Sequence, residues 1–154
     1  MKTLVMYFSK TGTTRAVADM IAERLGADHY EIKEAVPYTA ADLNWNIPTS
    51  RANQEQADEN SRPAYAGNLL DLTAYDQVII GHSTWWGRPP RIIQTVIEDL
   101  DLAGKRVATC ATSGGSTYSQ AQEVMNRILD HPVQGAILSS KRDVDKWIEQ
   151  NHLA

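Results

Sequence analysis

The chain has 154 residues, 42% hydrophobic and 22% charged, with a formal net charge of -4 and a pI near 5.5. These values exclude a disordered or fibrous chain, allow a core that needs no disulfide, and give a nucleic-acid partner no electrostatic support. Apolar runs such as Leu4–Phe8 fall far short of the ~20 residues a membrane-spanning helix requires, and with a lone Cys110 and no signal peptide the chain is expected in a reducing cytoplasm, away from membranes.

Thr3–Phe8 is a continuous apolar run of strand formers, closed by the pattern-breaking Ser9-Lys10-Thr11-Gly12, and reads as a buried strand. From Thr13 onward Val17, Met20, Ile21 and Leu25 recur at helical spacing, and Gly26 stands where a helix commonly stops. His29–Ile32 predicts a short second strand. From Glu34 to Ala74 no period is sustained, apart from a short helix near Asn53–Glu59; loops this long are uncommon unless they are functional or carry elements of their own. Gln77–His82 predicts a third strand, followed by Ser83-Thr84-Trp85-Trp86-Gly87 and a helix over Pro90–Leu100, with Ile92, Ile93, Val96, Ile97 and Leu100 on one face. Arg106–Ala111 predicts a fourth strand and Thr112-Ser113-Gly114-Gly115-Ser116 a turn, and Ala121, Val124, Met125, Ile128 and Leu129 mark the next helix. Gly135–Leu138 predicts a last strand and Asp143–Gln150, with Val144, Trp147 and Ile148, a closing helix.

Strand and helix alternate throughout, which argues for a parallel α/β sheet with helices on both faces, because each parallel strand returns by a right-handed crossover. No repeat, low-complexity tract or linker interrupts the chain, so one domain over 1–154 is expected.

In such sheets ligands bind outside the carboxyl ends of the strands, where strand order reverses, so three turns carry the chemistry. Ser9-Lys10-Thr11-Gly12-Thr13-Thr14 offers four hydroxyls, a flexible glycine and the anion-favouring start of a helix. It suits a phosphate monoester, or its hydroxyls simply cap the helix. It lacks the spacing of a nucleotide-triphosphate loop and the glycines of a dinucleotide fingerprint. Thr84-Trp85-Trp86-Gly87-Arg88-Pro89-Pro90 places two indoles at a strand end; they either stack on a planar ligand or pack under the long connection. Thr112-Ser113-Gly114-Gly115-Ser116 presents backbone N–H groups that could clasp a polar ring edge, although such turns also occur for geometric reasons.

Together, the Ser-x-Thr-Gly-x-Thr, Trp-Trp-Gly and Thr-Ser-Gly-Gly-Ser turns resemble the flavodoxin family, in order and spacing, along nearly the whole chain. The resemblance implies a three-layer, doubly wound flavodoxin-like fold, with a five-stranded parallel sheet of order 2-1-3-4-5 and non-covalent FMN at the switch point; flavodoxin is itself a type example of that topology. It implies that Ser9, Thr11, Gly12, Thr13 and Thr14 hold the phosphate, with Lys10 in the same cofactor-binding turn. Thr84, Trp85, Trp86 and Gly87 would flank the isoalloxazine, Gly87 offering its carbonyl to a protonated N5, while Thr112, Ser113, Gly114, Gly115 and Ser116 line the other edge. Asp42-Leu43-Asn44-Trp45, Ser50-Arg51 and Arg62-Pro63 are similar to a flavodoxin-like subgroup with a long second connection.

The implied function is passage of electrons through FMN, and no catalytic side chain is singled out because the flavin does the chemistry. Two forms stay open: an electron carrier that docks on a redox partner protein, and an NAD(P)H-dependent reductase of a small acceptor such as a quinone. A charge of -4 is modest for a shuttle that docks on basic partners, which favours the reductase. The alternative is a non-catalytic binding module for another planar ligand or a protein. A signalling receiver module would need acidic residues where Ser9, Lys10 and Ser83 stand. Arg88 is either a solvated loop arginine, a cation easing flavin reduction, or a contact for an acidic substrate or nicotinamide phosphate. Cys110 is expected as a buried, inert thiol and His82 as structural. The other histidines show no metal-ligand spacing, so no metal is expected.

Overall fold

A computed structural model describes residues 1–154. In chain order the elements are β1 (Thr3–Phe8), α1 (Thr13–Leu25), β2 (Asp28–Glu31), α2 (Arg51–Ala57), β3 (Gln77–Ser83), α3 (Arg91–Asp99), β4 (Arg106–Thr112), α4 (Ser119–Ile128), β5 (Val133–Ile137) and α5 (Lys141–Gln150). Differences from the sequence reading are confined to boundaries. Helix α2 begins at Arg51 because the Ser50 side chain accepts the Asn53 N–H, and α5 begins at Lys141 because Ser140 Oγ accepts the Asp143 N–H at 3.1 Å. Such caps set a helix start that apolar spacing does not see.

The strands form one parallel sheet in the order β2-β1-β3-β4-β5. β1 pairs with β2 on one side and with β3 on the other, Phe8 lying opposite His82. The chain therefore leaves β1 for one edge and returns past it to the other, which puts the reversal of strand order between the carboxyl ends of β1 and β3.

Successive strand residues point to opposite faces, and both faces are covered. Leu4, Met6, Phe8, Val78 and Ile80 pack against α3 and α4 through Ile92, Ile93, Val96 and Met125. Val5, Tyr7, Ile79, Ala108 and Cys110 pack against α1 and α5 through Val17, Ile21, Val144, Trp147 and Ile148. Full burial of each large aliphatic contributes about 1.5–3 kcal/mol, and the polar residues buried on the inner strands, Gln77, His82, Thr109 and Thr112 among them, are hydrogen-bonded. No helix is long and apolar enough to cross a membrane.

The segment from Glu34 to Ala74 folds back on itself, with Glu34 and Tyr65 bridged antiparallel and the Ala66 N–H donating to the Lys33 carbonyl at 2.7 Å. Two buried side chains pin it to the body. Gln56 Nε2 donates to the Trp85 carbonyl at 3.0 Å, and the Arg91 guanidinium donates to the carbonyls of Gln56 at 2.8 Å and Glu55 at 3.3 Å. Arg91 thus caps the end of α2 from the first position of α3.

Candidate functional site

The first turn is shaped by Gly12, the residue before α1, whose φ of 86° lies in the left-handed region that glycine enters without cost. Its N–H donates to Ser9 Oγ at 3.1 Å, and no side chain caps the helix. The first bond of the helix runs from the Ala16 N–H to the Gly12 carbonyl, which leaves the N–H groups of Thr13, Thr14 and Arg15 without helical partners. Of the two readings of these hydroxyls, the structure therefore does not show the capping one. With no acidic residue in the first turn, this helix end favours an anion.

The three turns are tied together at Thr112. Thr14 Oγ1 lies 2.8 Å from Thr112 Oγ1, while Thr84 donates to the Thr112 carbonyl from its N–H at 3.1 Å and its hydroxyl at 3.2 Å. Between them opens a cleft of about 320 Å³, lined by Thr11 and Thr13 after β1, Thr84 after β3, and Thr112, Ser113 and Gly114 at the end of β4 and just beyond it. Ser83, Leu138 and Ser139 complete its wall. The third turn is less open than its glycines suggest. Ser113 Oγ accepts the N–H groups of Gly115 at 3.2 Å and Ser116 at 2.8 Å, so those two amides are engaged within the turn.

The second turn is a two-residue reversal. Trp85 and Arg88 bridge antiparallel, and the residues between them both have positive φ, 58° for Trp86 and 77° for Gly87, as in a turn of the I′ kind. The indoles separate. Trp86 is 56% exposed, whereas Trp85 is buried with its ring edge-on to Phe8, Tyr38 and Trp45. Of the two readings of the indoles, packing under the long connection holds for Trp85, over which that connection lays Tyr38 and Trp45. Trp45 also reaches Trp86, at 5.7 Å between centroids. The Lys10 ammonium turns toward the long connection and pairs with Glu34 at 2.6 Å.

Behind the cleft, His82 is fully buried and burial lowers its pKa to about 4. Nδ1–H donates to the Ser83 carbonyl at 2.8 Å, leaving Nε2 as an acceptor 3.1 Å from the Tyr118 hydroxyl. Cys110 is buried too, and desolvation pushes its thiol up to about 12, so it is inert at neutral pH.

A family model described as flavodoxin matches residues 2–151. The chain belongs to the flavodoxin family. Solved flavodoxin-like structures agree over almost all of it. A candidate flavoprotein of Bacteroides eggerthii is 38% identical with a TM-score of 0.94, covering 99% of each chain. Another, of Bacteroides uniformis, is 45% identical with a TM-score of 0.91, covering 96% of this chain and 97% of its own. A flavoprotein of Lactobacillus acidophilus, solved in complex with FMN, is 25% identical with a TM-score of 0.77, covering 95% and 97%. No curated protein matches the chain.

In this flavodoxin-family chain sequence reasoning passed over Ser139, though it follows β5 as the other turns follow their strands. Tyr38 and Gln56, which build the wall behind the second turn, carried no local signal, because only the folding of the connection brings them there.

Proposed function

We propose that the chain, as one domain over 1–154, binds FMN non-covalently and passes electrons through it to or from a small molecule. The observation that carries this is the meeting of three strand-end turns around one hydroxyl-lined cleft at the switch point, beside a helix start with unpartnered N–H groups. Ser9, Thr11, Gly12, Thr13 and, through its backbone N–H, Thr14 hold the phosphate in this reading, Thr84, Thr112, Ser113 and Gly114 meet the polar chain and ring edge, and Trp86 offers its exposed indole to the ring. When bound, FMN supplies reversible one- or two-electron transfer. The protein's part is to orient it, to screen one side from water with Trp86 and Trp45, and to present the Gly87 carbonyl as an acceptor for a ring N–H.

A small-molecule acceptor such as a quinone, with NAD(P)H as donor, is favoured over a protein partner by the half-exposed indoles of Trp45 and Trp86 and by the modest net charge. Visible absorbance of the purified protein, with FMN added in excess, tests the reading. Retained flavin colour after gel filtration, bleached by anaerobic NADPH or NADH, is expected. Colourless protein would refute FMN binding; retained flavin that neither donor bleaches would point instead to a carrier loaded by a separate enzyme.

A further inference from the structure

A second concavity lies on the other side of the Trp-Trp-Gly turn. It measures about 310 Å³, and four of the chain's nine arginines line it: Arg62, Arg88, Arg91 and Arg127. No lysine does, and its carboxylates are Glu59 and Glu123. Arg62 is paired with Glu98 at 2.6 Å, but Arg88, Arg91 and Arg127 have no carboxylate within ion-pair distance. Arg91 is only 4% exposed, and its guanidinium is held by neutral partners alone, the carbonyls of Glu55 and Gln56 and Gln94 Oε1 at 2.9 Å.

A buried cation without a counter-charge is costly unless something anionic comes to it. Burial, with Arg62 and Arg88 nearby, pulls Arg91 below its usual range against the opposing pull of Glu59 and Asp58, neither of which reaches ion-pair distance. Guanidinium groups present planar pairs of donors that match phosphate oxygens, so an all-arginine groove is built for such an anion rather than for general positive charge.

We infer that this groove binds the phosphate or pyrophosphate part of a small-molecule ligand. It is separate from the cleft at α1, yet close to it: Thr84 lines the one, Arg88 the other, and Gln120 lines the groove with its side chain 3.4 Å from where a Cβ on Gly87 would sit. A ligand anchored here by its phosphates has only the Thr84–Arg88 turn between it and the flavin. That the ligand is the electron donor rests on the FMN reading; the anion site itself does not.

The test is calorimetric titration of inorganic pyrophosphate into the full chain with FMN in excess, at constant ionic strength. The double variant Arg88→Gln, Arg127→Gln is compared with wild type, and Arg24→Gln, whose arginine faces Asp145 at 3.5 Å, serves as the surface control. Saturable binding is expected in wild type and Arg24→Gln, weakened about tenfold or more in the double variant, the factor for losing a charge-assisted hydrogen bond. No saturable binding, or equal affinity in the double variant, overturns the inference. Acetate competing better than inorganic phosphate overturns the phosphate assignment in favour of a carboxylate. FMN binding is read separately by Trp fluorescence, so its failure beside arginine-dependent pyrophosphate binding removes the flavin reading and supports the groove.

Discussion

Trp86 holds a left-handed backbone conformation that costs an L-residue about 1–2 kcal/mol, and it keeps its indole in water rather than in the core. Strain combined with exposure points to a ligand contact, since neither serves stability. Trp86→Asn, a residue that accepts this conformation, should therefore keep or raise the melting temperature while weakening FMN binding about two- to tenfold, the worth of one aromatic stack. A variant that melts lower and binds FMN normally would make the indole structural. His82 belongs to the same scale. Its folded pKa of about 4 lies below the unfolded value near 6.5, so the unfolded chain takes up a proton that the fold refuses. Its contribution is full above pH 6.5 and is lost as pH falls toward 4, about 2 kcal/mol of it by pH 5. Urea unfolding at pH 7 and pH 5 should show that loss in wild type and lack it in His82→Gln; equal losses would exclude His82 as its source.

At the scale of elements, the start of α1 divides its hydroxyls between two jobs. Thr11 Oγ1 and Thr13 Oγ1 lie in the cleft and meet only each other, at 3.3 Å, whereas the Thr14 hydroxyl is buried against Thr112. Thr13→Val should leave unfolding unchanged and weaken FMN about tenfold or more, while Thr14→Val should cost about 1–2 kcal/mol of stability by orphaning a buried hydroxyl. Parallel urea melts and FMN titrations separate the two, and the same response from both variants would refute the division. The turns themselves were legible in the sequence, because each follows an apolar strand and the three occur together in the order and spacing that carry the resemblance. The engagement of Gly115 and Ser116 with Ser113 and the pairing of Lys10 with Glu34 were not, and which indole packs under the connection stayed open, since each depends on side-chain contacts that residue order does not specify.

Across the whole molecule, the sheet order followed from a resemblance and the alternation of elements from periodicity, and both are present in the structure. What stayed illegible was the long connection, whose position rests on Gln56 and Arg91 reaching carbonyls far away in sequence. Gln56→Leu should cost about 1–3 kcal/mol through the hydrogen bond lost at the Trp85 carbonyl and the Pro89 carbonyl left unpartnered, and should loosen residues 34–74 before the sheet. Hydrogen exchange would show faster exchange in that segment with β1, β3 and β4 still protected; uniform loss of protection would contradict the pinning. The central claim, that three turns assemble one phosphate-bearing flavin site, is tested most directly by titrating FMN and riboflavin, which lacks the phosphate, against Trp fluorescence. The account predicts saturable quenching by FMN and binding of riboflavin weaker by about tenfold or more. Equal affinity for the two, or no quenching by either, would contradict it.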